Sequence, residues 1–207
     1  NMGGETEKAW HAFLADMSAR GLRTPALVIV DGAPGLEAAL TRLWPNVAMQ
    51  RCAVHKHRNL LAHAPDSAAR ALKARKRLHD ELSADDRDMM HAETAAEVER
   101  QRRAFLRKWV EKCPAVARSL QEAGEQVFTF TRLPPSQWKS ARTTNAVERL
   151  HAEFKRRIKT QTVLPQAETA PMLFWALLAS GEITMRKVDG WETLNEPMAD
   201  HTIDLAA

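Results

Sequence analysis

A chain of 207 residues, 44% apolar and 27% charged with eight glycines, is long enough to bury a core and too apolar to be disordered throughout. A formal net charge of +4 is too small to mark a nucleic-acid binder by its sum alone, so the distribution of charge carries more information. The longest apolar run, Pro171 to Ala179, is about half of the roughly 20 residues that a membrane helix needs, so no membrane span is expected.

Glu5 to Arg20 sets Ala9, Trp10, Phe13, Leu14 and Met17 at helical spacing before Gly21, which predicts an amphipathic helix. Ala26 to Val30 is a short, unbroken, β-branched run ended by Asp31-Gly32, and predicts a strand buried on both faces with parallel pairing. Pro34 to Leu43 puts Leu36, Ala39, Leu40 and Leu43 on one side of a helix stopped by Pro45-Asn46, and Val47 to Arg51 predicts a second strand. Helix, strand, helix, strand is a fragment of an α/β sheet. From Cys52 the composition turns to helix formers, and Ala62 to Leu133 predicts an all-helical segment broken near Pro65, Ser83 and Cys113-Pro114. Leu133 to Ser136 reads as a loop, followed by helices over Ala146 to Lys159 and Ala167 to Ser180 with Pro165 between them. The stretch after Gly190 predicts an irregular tail, frayed at its end. The fold class is α/β and predominantly helical.

Charge is segregated along this plan. Eight basic residues face a single acid between Arg51 and Arg77, and seven face two acids between Lys139 and Lys159. Between these segments lies the acidic stretch Asp80 to Glu99. Two basic segments can build one phosphate-binding surface, or can be solvated helix faces. The two cysteines, Cys52 and Cys113, make no disulfide framework, and Asn1-Met2-Gly3-Gly4-Glu5 lacks the order of an export signal, so a cytoplasmic location is expected.

Two carboxylates stand at informative places. Asp31 sits where the first strand ends, the edge of an α/β sheet at which ligand sites gather, although Asp-Gly is also an ordinary turn. Glu148 stands three residues after Asn145, a good N-cap, so a capping box is expected there. Val147, Leu150, Phe154 and Ile158 form the predicted buried stripe of that helix, which leaves Glu148, Ala152 and Lys155 on a neighbouring face and open to a functional role. Trp10, Trp109 and Trp175 are expected in the core, while Trp44 and Trp191 stay undecided.

The strings Val30-Asp31-Gly32, Gly35-Leu36, Ala39, Gln50-Arg51-Cys52, His55 and Arg58-Asn59, with Thr144-Asn145-Ala146-Val147-Glu148-Arg149-Leu150 and Arg156-Arg157, resemble the Mutator-type transposases of bacterial insertion sequences. The resemblance implies a ribonuclease H-like core interrupted by an all-helical insertion. Residues 1–61 would be the first part of the core, 62–135 the insertion, 136–190 the second part and 191–207 the tail. By the same resemblance Asp31 is the second of three catalytic acids, Glu148 is the last, and both are ligands of Mg²⁺ or Mn²⁺. Cys52 and His55 are the family's Cys-x-x-His motif. The implied partners are transposon-end and target DNA and further copies of the transposase. Cutting and joining DNA are in-line displacements at phosphorus, in which divalent cations held by carboxylates stabilise the entering and leaving oxygens.

One element of the family pattern has no counterpart. The first catalytic Asp precedes the opening helix, where Asp16 lies on the helix itself and Glu5 and Glu7 lie in its first turn. A truncated core is therefore expected, lacking its opening strands, exposing a hydrophobic edge at the strand around Val28, and inactive as an isolated chain. The rival readings are a nonenzymatic DNA-binding remnant that inhibits full-length transposase, and a decayed gene product. Cys52 and His55, with His57 and His63 nearby, lack a second ligand pair for structural zinc; the alternative is a reduced thiol beside a hydrogen-bonded imidazole. Trp138, among Pro134, Pro135, Lys139 and Arg142, is either a stacking platform for a DNA base or a packing anchor. Arg149, Lys155, Arg156, Arg157 and Lys159, together with Lys56, Arg58, Lys139 and Arg142, are the candidate DNA contacts, with a solvated face as the rival.

Overall fold

A computed structural model describes residues 4–64, 72–159, 166, 168–201 and 203, and only the backbone of 72–75. The chain opens with helix α1 (Glu7–Ala19), whose N-cap Thr6 accepts the Ala9 N–H. Strand β1 (Leu27–Val30), helix α2 (Pro34–Leu43) and strand β2 (Ala48–Arg51) follow. Pro34 starts α2 at a position where its missing N–H costs no helical bond. The two strands pair in parallel, with Leu27 opposite Ala48 and Val30 opposite Arg51, and α2 is their crossover. All four elements stand where the apolar spacing predicts them.

One side of this sheet is covered by α1 and α2, through Leu14, Val30, Ala39, Leu40 and Trp44. The other side is met by irregular chain. Gln50 is fully buried and spends its side chain on backbone: its amide donates to the carbonyls of Val127 and Arg51, and its oxygen accepts the Phe130 N–H at 2.7 Å. A buried glutamine with no such partners would cost about 1–3 kcal/mol, so this residue ties the turns at 124–132 to β2. The expectation that β1 is buried on both faces holds only at Val30; Leu27, Val28 and Ile29 are half-buried. Among the described residues β2 is the one strand beside it, so the second edge of β1 has no ladder partner.

Helix α3 (Ala53–His63) leads to a helical segment of α4 (Leu72–Met90), α5 (Ala95–Lys112) and α6 (Pro114–Glu122). Its core holds Leu60, Leu82, Met89, Val98, Phe105, Trp109, Val116, Leu120, Phe128 and Phe130, each large side chain contributing roughly 1.5–3 kcal/mol by burial. The expected break near Ser83 is absent, because Leu82 and Met89 hold α4 straight against that core; the break comes at 91–94, where Thr94 caps α5. The break near Cys113-Pro114 is present, and Pro65 lies outside the described residues, as does Pro165. The acidic stretch is not idle surface. Glu81 and Asp85 of α4 pair with Lys108 and Lys112 of α5, and Asp85 also accepts the indole N–H of Trp109 at 2.9 Å.

After 3-10 turns at Gly124–Val127, Thr129–Arg132 and Pro135–Gln137 come the short helix α7 (Trp138–Ala141), α8 (Asn145–Arg157) and α9 (Thr169–Ala179). Neither α8 nor α9 buries a residue. The stripe expected to be buried on α8 is only partly covered at Leu150, Phe154 and Ile158 and is exposed at Val147. Trp175, expected in the core, is 71% exposed. The apolar spacing is correct, but α8 and α9 have mainly each other to pack on, through Phe154 edge-on to Phe174. The tail is better held than its composition predicts. Gly190 takes a φ of +74°, in a place where a Cβ would fall 2.6 Å from the Gln137 nitrogen. Gln137 donates to the Thr193 carbonyl, Ala199 and Arg132 exchange two hydrogen bonds, and Ile203 is buried in the helical core. Such side-chain-to-backbone ties leave no periodic trace in a sequence.

Candidate active site

Asp31 follows the last residue of β1. Its Oδ1 accepts the Ala33 N–H at 3.0 Å, closing an Asx turn through Gly32, whose φ of +99° suits glycine. The expected turn is present, and Oδ2 accepts no hydrogen bond from the described residues.

The next link is Cys52, directly after β2. Its N–H donates to the Val30 carbonyl at 2.7 Å, so the first turn of α3 begins beside the end of β1. Its buried sulfur lies 3.4 Å from both the N and the Oγ1 of Thr144, ahead of α8. Thr144 Oγ1 in turn donates to Glu148 Oε1 at 2.8 Å. A second tie, Ala53 N–H to the Arg142 carbonyl at 2.8 Å, runs parallel to the first. Asp31 and Glu148, separated by more than a hundred residues, are thereby joined through Val30, Cys52 and Thr144 at one end of the sheet.

Thr144 has one hydroxyl proton for two acceptors. When Cys52 is a thiol, that proton goes to the closer carboxylate and the thiol hydrogen is left for Thr144 Oγ1. Burial pushes the Cys52 thiol up, but hydrogen bonds from Thr144 and His55 outweigh it and hold the group below its ordinary 9.0. His55 also faces Glu148, with Nδ1 at 3.9 Å from Oε1. The Cys-x-x-His pair is thus built into the site. Cys113 does not join it, because its sulfur lies 3.6 Å from the His63 carbonyl oxygen. Among the described residues no three His, Cys, Asp or Glu side chains are gathered to hold a metal ion by themselves.

The expected capping box is not formed. Thr144, not Asn145, is the N-cap residue of α8, and it makes no side-chain cap bond because its hydroxyl is turned to Glu148 and Cys52. Three expected DNA contacts also face inward. Lys56 is 5% exposed and donates to Ser119 Oγ at 3.1 Å and Glu122 Oε2 at 3.2 Å; burial pushes its amine down despite Glu122. Arg142 lies over the Phe130 ring and donates to the Met90 carbonyl, and burial lowers its basicity. Trp138 is 6% exposed, edge-on to Phe130, with its indole N–H on the Leu133 carbonyl at 2.8 Å, which makes it a packing anchor and not a stacking platform.

The remaining cations differ among themselves. Arg156 and Arg157 both pair with Glu153, and Lys139 pairs with Asp189. Arg58, Arg149, Lys155 and Lys159 are exposed and form no ion pair with the described residues. Sequence reasoning missed Thr144 as the link between motifs, took Arg51 only as part of a family string and a basic segment, and missed Glu122 altogether. Thr144 adjoins the Asn145-to-Glu148 string, but its partner is 92 positions away in the chain, which spacing cannot reveal.

Residues 2–185 match the family described as Transposase, Mutator family. The transposase for insertion sequence element ISRM5 of Rhizobium meliloti is 35% identical over 176 residues, covering 84% of this chain and 42% of that protein. The transposase for insertion sequence element IST2 of Acidithiobacillus ferrooxidans is 36% identical over 154 residues, 74% of this chain and 49% of its own length. The transposase for IS1081 of Mycobacterium tuberculosis is 32% identical over 201 residues, 94% of this chain and 45% of its own length. The chain therefore spans less than half the length of the relatives it matches. With a match over residues 2–185 and relatives more than 30% identical over most of its length, the conclusion is that this chain belongs to the Mutator family of transposases.

Proposed function

We propose that residues 1–207 form the part of a DNA transposase that contributes Asp31 and Glu148 to a three-carboxylate site for phosphoryl transfer on transposon-end DNA. The observation that carries this reading is the tie from Val30 through Cys52 and Thr144 to Glu148, which links the end of β1, where Asp31 stands, to the helix that carries Glu148. Its donors are hard carboxylate oxygens, Asp31 Oδ2 and Glu148 Oε2 accept no hydrogen bond from the described residues, and this set suits Mg²⁺ or Mn²⁺. Such a cation, when bound, stabilises charge on the entering and leaving oxygens at phosphorus. The third acid and the opening strands of a ribonuclease H-like core lie outside these residues in this reading, in keeping with the shorter span relative to the relatives. The helical segment is the insertion of that core.

The chain's own residues bind and position. Glu148 is held by Thr144, and Thr144 by Cys52. Arg149, Lys155 and Lys159 offer unpaired positive charge to phosphates beside Glu148, with Arg58 on α3 as a further contact. The setting is the bacterial cytoplasm, and the working form is an oligomer on DNA. No helix among the described residues is long and apolar enough to cross a membrane.

The test is to join this chain to the remainder of a Mutator-family transposase and supply labelled transposon ends with Mg²⁺. Cleavage and joining are expected. Asp31→Asn and Glu148→Gln should each slow them by about three orders of magnitude, equivalent to several kcal/mol of charge stabilisation. Undiminished cleavage in both variants contradicts the assignment. The exposed cations of α8 also support a binding module without catalysis, and DNA retention with no cleavage in the completed protein would favour that reading.

A further inference from the structure

Arg51 ends β2 and pairs in register with Val30, one residue before Asp31. An arginine at that place would ordinarily reach for solvent or phosphate, yet this side chain is 14% exposed. Its guanidinium lies against the Asx turn: a Cβ added to Gly32 would fall 2.6 Å from Nη2 and 3.2 Å from Nε. The same group is pinned from two sides. Nε pairs with Glu37 Oε1 of α2 at 3.5 Å, and Nη1 donates to Glu122 Oε1 of α6 at 3.2 Å. Glu37 Oε1 is buried and has no hydrogen bond, so Arg51 is its charge partner. The other oxygen of Glu122 accepts from Lys56, whose amine also reaches Ser119. Two cations and two carboxylates thus make a neutral network from α2, β2, α3 and α6.

We propose that Arg51 is a positioning residue for Asp31: its guanidinium braces the Asp31–Gly32–Ala33 turn, and the brace is anchored in the helical segment through Glu122. The catalytic importance of this brace rests on the reading of Asp31 as a metal-holding carboxylate. The turn contains one hydrogen bond of its own, Ala33 N–H to Asp31, and a glycine at φ +99° supplies no side chain to stiffen it. Arg51 fills the space that a side chain would occupy. Because an arginine fork can hold two carboxylates and a plate of contact at once, a lysine cannot replace it. Glu122 is 65% exposed, so the anchor point on α6 is open to solvent while the braced turn is not its neighbour in sequence. A displacement of α6 is therefore felt at Asp31 through one side chain.

The test is backbone ¹⁵N relaxation on the whole chain, unmutated and as Glu122→Gln and Arg51→Lys. In the unmutated protein the order parameters of Gly32 and Ala33 should stand near the rigid value of about 0.85, and in both variants fall below about 0.6, with those of α4 and α5 unchanged. Glu122→Gln keeps the shape and one acceptor oxygen of a largely exposed side chain, and its circular dichroism and α4–α5 signals verify the fold, so it decides the matter if Arg51→Lys does not fold. Order parameters at Gly32 and Ala33 that stay at the unmutated value in a folded Glu122→Gln protein overturn the anchoring, and the same result in folded Arg51→Lys overturns the brace itself. The metal role of Asp31 is read separately, by selective broadening of the Gly32 and Ala33 signals with Mn²⁺ alone. Broadening should weaken about 3- to 10-fold in Glu122→Gln at equal Mn²⁺, and its absence from the unmutated protein contradicts the metal reading without touching the order-parameter result.

Discussion

Helices α5 and α8 are both amphipathic and both rich in charge, but they end in different surroundings. On α5, Val98, Phe105, Leu106 and Trp109 are buried among residues of α3, α4 and α6, and its charged face is matched by Glu81 and Asp85. On α8 nothing is buried, and α9 beside it, apolar nearly all round, leaves Met172 68% exposed. Periodicity states which face of a helix seeks a partner, and only the rest of the molecule supplies one. The candidate site lies at the seam between these two regions: Asp31 and Cys52 follow the paired strands β1 and β2, and Cys52 opens α3, whereas Glu148 rides on the sparsely supported helix.

The comparison can be broken most forcefully from the finished side. Trp109→Ala removes a fully buried ring and its bond to Asp85, and should cost about 3–5 kcal/mol in urea denaturation, enough to unfold much of the population. A loss below 1 kcal/mol would mean that the helical core is not where stability resides.

At the seam, Thr144→Val keeps shape but removes the hydroxyl that joins Cys52 to Glu148. It should cost about 1–2 kcal/mol and weaken Mn²⁺ broadening at Glu148, with Thr144→Ser restoring both. Failure of the serine variant to restore either would show that the hydroxyl is not the link.

A pH dependence sharpens the contrast within the finished half. His57 of α3 bonds Asp86 of α4 at 2.9 Å; this bond raises its pKa above 6.5, against burial and against Arg87 and Arg58. A raised folded value means that the pair's contribution is complete below about pH 6.5 and is lost as pH climbs through the folded value. Stability should therefore fall by about 1 kcal/mol between pH 5.5 and 8.5, and His57→Gln should remove that fall. An unchanged pH profile in the variant would assign the dependence elsewhere.

The smallest effect is expected on the sparse side. Trp175→Ser should change stability by no more than about 0.5 kcal/mol, because the ring is already in water. A loss comparable with that of Trp109→Ala would mean that α9 is covered after all.

Elements with a strong period are legible in the sequence. Helix α2 stands at its predicted bounds, the two strands lie within a residue of theirs, and α-helices fill Leu72 to Glu122 of the segment expected to be helical, which ends in 3-10 turns. Asp31 and Glu148 stand out as candidates because the strings around them are specific to the family. What stayed hidden depends on the partner of a side chain and not on its own spacing. Lys56 and Arg142 look like surface cations until Glu122 and Phe130 are brought to them by the fold. Trp138 sits in a Pro-rich loop by composition, yet Phe130 and the Leu133 carbonyl receive it. Asn145 and Glu148 read as a capping box until the fold sets Thr144 at the N-cap, with its hydroxyl turned to Cys52 and Glu148.

The central claim is that Asp31 and Glu148 serve one cation through the Cys52–Thr144 tie, and Mn²⁺ titration of the ¹⁵N-labelled chain tests it most directly. The expected result is parallel broadening of Gly32, Ala33 and Glu148 at the same Mn²⁺ concentrations, lost at all three positions in either Asp31→Asn or Glu148→Gln. Broadening at only one of the two segments, or loss at one while the other persists, would contradict a shared site.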